Sequence, residues 1–309
     1  MTVTIDLEQA IAEEATTRRR RRRPGSLGAW LGAAWLLLIG GMAVFADYLP
    51  FVRGYAQQVP YARNFAVHPG SDFWFGSDQL GRDVFARCIY GARVSLLVAI
   101  SSILVGLTVG GVLGLAAGYF RGKTDRGVSI VADCLLAFPP VVIAILIVGR
   151  LDALSETGFS VLWWHPTRTW SVVIVLSLLS IAPITRIVRA QTLSLSQREF
   201  VVAARSIGAN RRRILLREIL PNLVPAMISV AFTGIAILLV AEGTLAFLGY
   251  SVKVPTPTWG YLINESRPKL RDAWWPTIFP CLMLFLTVVS FNLIGDRIAR
   301  HFDVKEAAL

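Results

Sequence analysis

Long apolar runs separated by charged segments constrain this chain more than any other feature. A helix that rises ~1.5 Å per residue needs about 20 residues to cross the ~30 Å hydrocarbon core of a bilayer. Six runs approach or exceed that length, at about residues 27–45, 94–120, 128–148, 171–188, 223–248 and 277–294. With 54% hydrophobic and 17% charged residues, the composition excludes an ordinary soluble domain. The sequence therefore predicts an all-α polytopic membrane protein with six transmembrane helices.

The basic residues are concentrated in alternate segments between these runs. The formal net charge is +11, and twenty of the 31 Lys and Arg residues fall in four segments, at residues 18–23, 121–126, 186–217 and 297–305. Basic residues remain preferentially on the cytoplasmic side of a membrane, so we expect these segments and both termini to be cytoplasmic. The Arg18–Arg23 run directly precedes an apolar run, which favours a topology anchor over a nucleic-acid site.

This topology divides the chain into five regions. They are a cytoplasmic N-terminal tail at 1–26, a first transmembrane helix at 27–46, an external loop with an interfacial helix at 47–92, a core of five transmembrane helices at 93–296 that includes a cytoplasmic loop at 189–222, and a cytoplasmic C-terminal tail at 297–309.

The polar stretch at residues 199–221 is too charged to lie in lipid, although apolar runs flank it on both sides. Apolar residues recur in it at helical spacing with arginines between them, and Gly208 interrupts the pattern. A glycine can adopt the left-handed conformation that ends one helix and redirects the chain into another. Ala203 and Ala204 provide a small face that permits close approach of another surface. We therefore predict a short helix, a turn and a second helix that project from the membrane.

This stretch also resembles a known family. Glu199, Ala203-Ala204, Gly208-Ala209-Asn210, Arg213-Ile214 and Leu220-Pro221-Asn222 are similar to the cytoplasmic coupling loop of ABC importer permeases of the peptide and nickel branch, although Val202 and Glu218 depart from the common pattern. The resemblance implies that the loop rests in a groove of an ATP-binding subunit. The coupling residues it implies are Glu199, Ala203, Ala204, Arg205, Gly208, Ala209 and Arg213. The alternative is an ordinary basic loop that obeys the inside-positive bias.

A second segment, residues 75–96, is similar to the stretch that precedes the core of peptide-type permeases. Its candidate residues are Asp78, Gly81, Arg82, Asp83 and Arg87. The charged members lie three to five positions apart, and this spacing predicts one charged face on a helix that lies along the membrane surface. A structural ion-pair face and a substrate-contacting face both remain open.

Gly106, Gly110, Gly114 and Gly118 follow one another at four-residue spacing. Positions i and i+4 stack on one side of a helix, so these glycines form a flat groove. We expect another helix to pack closely into it, from this chain or from a second subunit.

Four residues are candidates for lining or gating a pathway through the membrane. Pro139 and Pro140 remove two backbone donors from the third run and predict a kink or break there. Asp133 and Glu242 are carboxylates within apolar runs, and such groups are functional candidates by default. For each carboxylate, a structural hydrogen bond or ion pair is the alternative.

The resemblance implies a type I ABC importer permease in a bacterial inner membrane, paired with a related permease subunit, two ATP-binding subunits and an external binding protein. Gly122-Lys123-Thr124 imitates the end of a phosphate-binding loop, but Ala117 replaces the required glycine, so we expect ATP and Mg to bind partner subunits. No enzyme activity, metal site, cofactor or nucleic-acid partner is predicted for the chain. The expected cargo is a dipeptide or oligopeptide, with nickel chelates or glutathione as alternatives. From another class, an ion-coupled secondary transporter that uses Asp133 and Glu242 stays open.

Overall fold

The computed structural model describes residues 26–63, 66–156, 167–252 and 255–306 of the 309-residue chain. The helices in these ranges are α1 (Ser26–Phe45), α2 (Val84–Phe120), α3 (Gly122–Ala137), α4 (Pro140–Glu156), α5 (Arg168–Leu195), α6 (Glu199–Ser206), α7 (Arg211–Arg213), α8 (Leu220–Phe247), α9 (Trp259–Ser266) and α10 (Trp275–Glu306). Short 3₁₀ segments follow α1 and α9, at Ala46–Tyr48 and Arg267–Lys269, and a π-helical segment, Ile214–Ile219, joins α7 to α8. The described ranges also contain two strands, β1 (Gln58–Arg63) and β2 (Leu80–Arg82). The Arg18–Arg23 run lies outside the described residues.

In the described part of the chain, five helical segments are long and apolar enough to cross a membrane. A sixth crossing results if α3 and α4 form one span, since they pass the same test together but are bent by 87°. The break lies at Phe138-Pro139, and Pro140 is the first residue of α4. The predicted break at the two prolines is confirmed, and it divides the run at residues 128–148 between two helices.

The central contact of the fold joins α2 and α5. All four glycines of the groove on α2 face α5, and a β-carbon on Gly110 would lie 2.8 Å from the carbonyl oxygen of Ile181. The corresponding distance from Gly118 to the carbonyl oxygen of Arg189 is 2.7 Å. Only glycine permits this approach, so the helix that fills the groove is α5 of the same chain.

Contacts with α10 hold α1 on the outside of this central pair. Gly32 of α1 faces the backbone of Ser290, where a β-carbon would lie 3.2 Å from the carbonyl oxygen. The indole nitrogen of Trp35 donates a hydrogen bond of 3.0 Å to the hydroxyl of Thr287. The first apolar helix is therefore a packed part of the chain.

The segment at residues 47–92 differs from its prediction. In place of an interfacial helix, its described part contains an antiparallel pair of strands, in which Gln58 faces Arg82 and Arg63 faces Leu80. The helix α2 already begins at Val84, capped by the Asp83 carboxylate, which accepts a 2.8 Å hydrogen bond from the amide of Phe85. The first span of the core is thus longer than the predicted run at 94–120.

Candidate functional site

The loop at residues 196–219 lies where α2 and α5 end, at the end of the bundle opposite to the two strands. Here α6 packs on the segment that leads into α8. The buried side chains of Val201 and Ala204 join the same apolar cluster as Ile214 and Ile219. Ala203 is exposed whereas Ala204 is buried. The predicted pair of alanines therefore does not form one contact face, because adjacent residues point about 100° apart around a helix.

A glycine turn ends α6 as predicted. Gly208 has a φ of +81°, its amide donates to the carbonyl of Arg205 at 3.0 Å, and the amide of Ala209 donates to the carbonyl of Ala204 at 3.0 Å. These two bonds define a Schellman cap, in which the residue after the helix has left-handed backbone angles. Nothing lies within 4 Å of a β-carbon built at Gly208, so backbone conformation alone disfavours other residues there.

After the turn, the chain continues through α7 into α8 as one helical segment. The Asn210 side chain caps α7 by accepting a 2.8 Å hydrogen bond from the amide of Arg213. The segment from Arg211 to Phe247 forms one continuous membrane-length helix in which Ile214–Ile219 is π-helical. The predicted second helix of the loop is therefore the extended beginning of the next span.

The outer surface of this loop is apolar and basic. Ile207 is 79% exposed and Val202 is 54% exposed, and Phe200 is exposed beside them. The side chains of Glu199 and Arg205 lie on the same solvent-facing surface, while Arg213 follows on α7. An exposed apolar patch that is rimmed by charges is typical of an interaction surface. We refer to Glu199, Phe200, Val202, Ala203, Arg205 and Ile207 as the docking surface.

Two ion pairs connect the helix that leads into the docking surface with the first half of the broken span. Arg189 of α5 pairs with Asp125 of α3, where Nη2 donates to Oδ2 at 2.7 Å. Arg186 of α5 pairs with Asp133, the carboxylate that the sequence singled out. The Arg186 and Asp133 side chains are both more than half exposed. Asp133 therefore has a structural partner, and the two ion pairs connect α3 with the end of α5.

Glu242 is 0% exposed and lies near the opposite end of α8. Its Oε1 accepts a hydrogen bond of 2.5 Å from the hydroxyl of Ser251, and its Oε2 accepts one of 3.3 Å from Ser95 of α2. The Ser95 hydroxyl also accepts a 3.2 Å hydrogen bond from the amide of Trp259, the first residue of α9. The buried carboxylate thus connects α8, α2 and the segment before α9.

The charged residues of the second motif form a buried cluster around the strands. Asp78 begins a tight turn in which its Oδ1 accepts hydrogen bonds of 2.9 Å from the amides of both Leu80 and Arg82, and Gly81 has a φ of +73°. The predicted single charged face of a surface helix was wrong, because only Arg87 belongs to a helix. Asp78 and Arg82 belong to a turn and a strand, which local hydrogen bonds to the carboxylate favour over a helix.

A carboxylate from α9 completes this cluster. Glu265 accepts hydrogen bonds of 2.7 Å from Nη2 of Arg82 and from Nη1 of Arg87, and each arginine also donates 2.6 Å to Oδ2 of Asp78. Burial alone would raise the pKa of Glu265, but the charges of Arg87 and Arg82 outweigh it and lower that pKa. In contrast, burial raises the pKa of Asp83 despite its two capping amides. The four residues Asp78, Arg82, Arg87 and Glu265 form the hairpin charge cluster.

A family model described as "Binding-protein-dependent transport system inner membrane component" matches residues 110–306. That range contains three of the four groove glycines, the broken span, the docking surface and Glu242. The chain belongs to this family.

Permeases of this family from enterobacteria are similar to the chain over nearly its whole length. The glutathione transport system permease protein GsiD of Pectobacterium atrosepticum is 37% identical over 278 residues, which cover 88% of this chain and 85% of the relative. The protein of the same name from Escherichia coli is 35% identical over 295 residues, which cover 93% and 89%. The chain is therefore a multi-pass inner-membrane permease of an ABC importer.

Solved ABC transporter structures share its fold. A chain of the inward-facing MetNI methionine ABC transporter aligns with a TM-score of 0.58 and 17% identity, covering 70% of this chain and 96% of that one. A chain of an amino acid ABC transporter with histidines aligns with a TM-score of 0.51 and 16% identity, covering 73% and 95%. The fold is that of type I ABC importer permeases.

Sequence reasoning missed several partners in these sites. Glu265 lies outside both motifs and is 183 residues from Arg82, so no local spacing connects them. Ser95 and Ser251 likewise gave no sign of their contact with Glu242. Arg186 could have been found, because an ionisable residue in an apolar run generally has a partner and Arg186 lies within another run.

Proposed function

We propose that the chain is one permease subunit of an ATP-driven importer, which forms the membrane pathway together with a second, related permease subunit. Two ATP-binding subunits supply ATP hydrolysis and hold the nucleotide and Mg. An external binding protein delivers the solute. The description of the matched family supports the last partner, and the names of the solved relatives support the ATP-driven class.

The docking surface carries this proposal. It combines an exposed short helix, a left-handed glycine turn and direct continuity with α8. Glu199, Ala203, Arg205 and Gly208 would contact the ATP-binding subunit, and Ala209 and Arg213 would support the turn from behind. Movement of that subunit would reach α8 through the continuous helix. It would reach α3 through the pair between Arg189 and Asp125.

The orientation follows from the same assignment. The end with the docking surface would face the cytoplasm, together with both termini, and the end with the hairpin charge cluster would face outwards. The concentration of Arg residues at 186–217 supports this orientation, because basic loops remain on the cytoplasmic side. With this orientation, we also propose the five regions and the boundaries that were predicted from the sequence.

The proposed cargo is a small peptide, with glutathione as the first candidate. The two relatives described above are named as glutathione transport permeases, and glutathione is itself a modified tripeptide. Dipeptides, longer peptides and nickel chelates are the other candidates. The broken span at Pro139 and Pro140 would line the pathway, since non-helical backbone at membrane depth is tolerated against protein or water.

Purification of the tagged chain from its native membrane in mild detergent tests this function. Recovery of a second permease and two ATP-binding subunits, followed by ATP-dependent uptake of radiolabelled glutathione into proteoliposomes, is the expected result. A dipeptide and a nickel chelate serve as parallel cargo. Recovery of the chain alone, with uptake that follows a proton gradient without ATP, would replace the proposal with a secondary transporter.

A further inference from the structure

A cavity of 260 Å³ lies at the hairpin end of the bundle, between the turn before β2, the helix α9 and the beginning of α10. Its charged lining side chains are Asp78, Arg82, Arg87, Glu265 and Lys269. The first four are the hairpin charge cluster, in which two carboxylates face two guanidinium groups. Lys269 adds a third positive charge to the lining, so the cavity favours an anionic group.

Arg87 points to the same conclusion independently. The residue is 1% exposed, and its Nη1 alone donates to both Asp78 and Glu265. Among the described residues, no hydrogen-bond partner exists for its Nε and Nη2 atoms. A buried donor without a partner destabilises the fold, so a bound acceptor would satisfy it. These two nitrogens form the edge of a guanidinium group that binds a carboxylate through two parallel hydrogen bonds.

The rim of the cavity has the character of a protein interface. Lys269 is exposed, and its ammonium group has no ion-pair partner in the part of the chain that the structure describes. Leu80 and Pro276 also line the cavity, and Leu80 is 46% exposed. A central charged pocket that is surrounded by apolar contacts suits a side chain presented by another protein better than a small free solute.

We propose that this cavity receives an aspartate or glutamate side chain of the external binding protein. The proposal rests on the proposed function, which includes such a partner. The acid would lie against Nε and Nη2 of Arg87 and near the ammonium group of Lys269. Because Arg87 is almost completely buried, the acid has to enter the cavity to reach it, which requires a side chain that projects from the surface of the partner.

Zero-length crosslinking tests the contact. The complex in nanodiscs is mixed with the binding protein that co-purifies with it and treated with a carbodiimide, which joins an amine and a carboxylate only when they touch. The expected product is an amide between Lys269 and one Asp or Glu of the binding protein, identified by mass spectrometry. If glutathione protects Lys269 from the carbodiimide reaction when the binding protein is absent, the cavity binds a free solute and the proposal is overturned.

Matched variants distinguish a direct contact of Lys269 with the binding protein from a general effect of surface charge. Lys269→Arg keeps the positive charge and should keep the affinity while losing the crosslink, because a guanidinium group does not form the amide. Lys269→Glu should weaken binding of the binding protein about tenfold or more. Arg271→Glu makes the same charge change two residues away on an exposed side chain that does not line the cavity, and should change the affinity no more than about threefold.

Arg87→Lys tests the buried edge, because it keeps one positive charge and removes the two-nitrogen fork. We expect it to weaken binding as strongly as Lys269→Glu in a complex that still assembles. If the complex assembles and imports solute with ATP while Lys269→Glu binds like the parent and no crosslink forms, this inference fails and the proposed function stands. If no ATP-binding subunit or binding protein co-purifies, both fail.

Discussion

Gly114 of α2 and Thr185 of α5 meet backbone to backbone, since a β-carbon at position 114 would lie 2.6 Å from the carbonyl oxygen of Thr185. This contact is the third of four along the same groove and defines how closely the two central helices approach. By comparison, nothing lies within 4 Å of a β-carbon built at Gly41 of α1. Gly114 is therefore closely packed against a neighbouring helix, whereas Gly41 has open space around the position of a β-carbon.

Gly114→Ala should destabilise the purified complex by about 1–3 kcal/mol, because the added methyl group overpacks the interface between α2 and α5. Gly41→Ala is the matched control and should be neutral or stabilising by up to about 1 kcal/mol, since alanine favours helix. Thermal unfolding of both variants in detergent measures the difference. Equal melting temperatures would show that the two helices separate easily at this point.

Gly208→Val should abolish coupled transport while membrane insertion stays normal. The left-handed backbone at position 208 costs a residue with a β-carbon about 1–2 kcal/mol, and a β-branched residue more, so the docking surface should lose its shape. Gly208→Asn is the control, because asparagine tolerates this conformation. ATP-dependent uptake and recovery of the ATP-binding subunits are the measurements. Normal uptake by the valine variant would separate this turn from coupling.

Glu242→Ala should lower stability by about 1–3 kcal/mol, because it leaves the buried hydroxyls of Ser95 and Ser251 without their acceptor. Glu242→Gln keeps an acceptor oxygen and the shape of the side chain, so it should retain most of the stability and the transport. Thermal unfolding and uptake are measured on both variants. A glutamine variant that is stable but does not transport would give the carboxylate a role in the pathway.

Glu265→Gln should destabilise the hairpin end by about 1–3 kcal/mol at neutral pH, because it removes charged hydrogen bonds to Arg82 and Arg87. Since the folded state lowers the pKa of Glu265, its contribution is present above the ordinary glutamate range and disappears as the pH falls through the lowered pKa. Asp83 has the opposite pH dependence. Because its pKa is raised in the folded state, its contribution to stability is present at low pH and is lost as the pH rises through the raised pKa.

The measurement is the difference in unfolding temperature between the parent and Glu265→Gln from neutral pH down to a pH below the lowered pKa of Glu265. We expect that difference to shrink with acidification, because a protonated glutamate resembles glutamine. Asp83 is present in both proteins and cancels from the comparison. A difference that stays constant across the range would show that the ion pairs do not contribute to stability.

The hairpin charge cluster shows where prediction from the sequence failed. Asp78, Arg82 and Arg87 lie at spacings that fit one face of a helix, and nothing in the spacing distinguishes that face from a turn followed by a strand. The amides of Leu80 and Arg82 bind the Asp78 carboxylate and favour the turn. The partner that completes the cluster, Glu265, comes from α9, and only the packing of α9 on the hairpin brings it there.

The sequence alone determined the features that depend on local chemistry. Length and hydropathy specified the membrane helices, four-residue spacing specified the glycine groove, Gly208 specified the turn and Pro139-Pro140 specified the break, because each follows from the backbone preferences of neighbouring residues. Only the tertiary structure decided that α5 fills the groove, that Arg186 pairs with Asp133 and that Ser251 and Ser95 hold Glu242. These contacts join residues far apart in the chain, and their geometry depends on how whole helices pack.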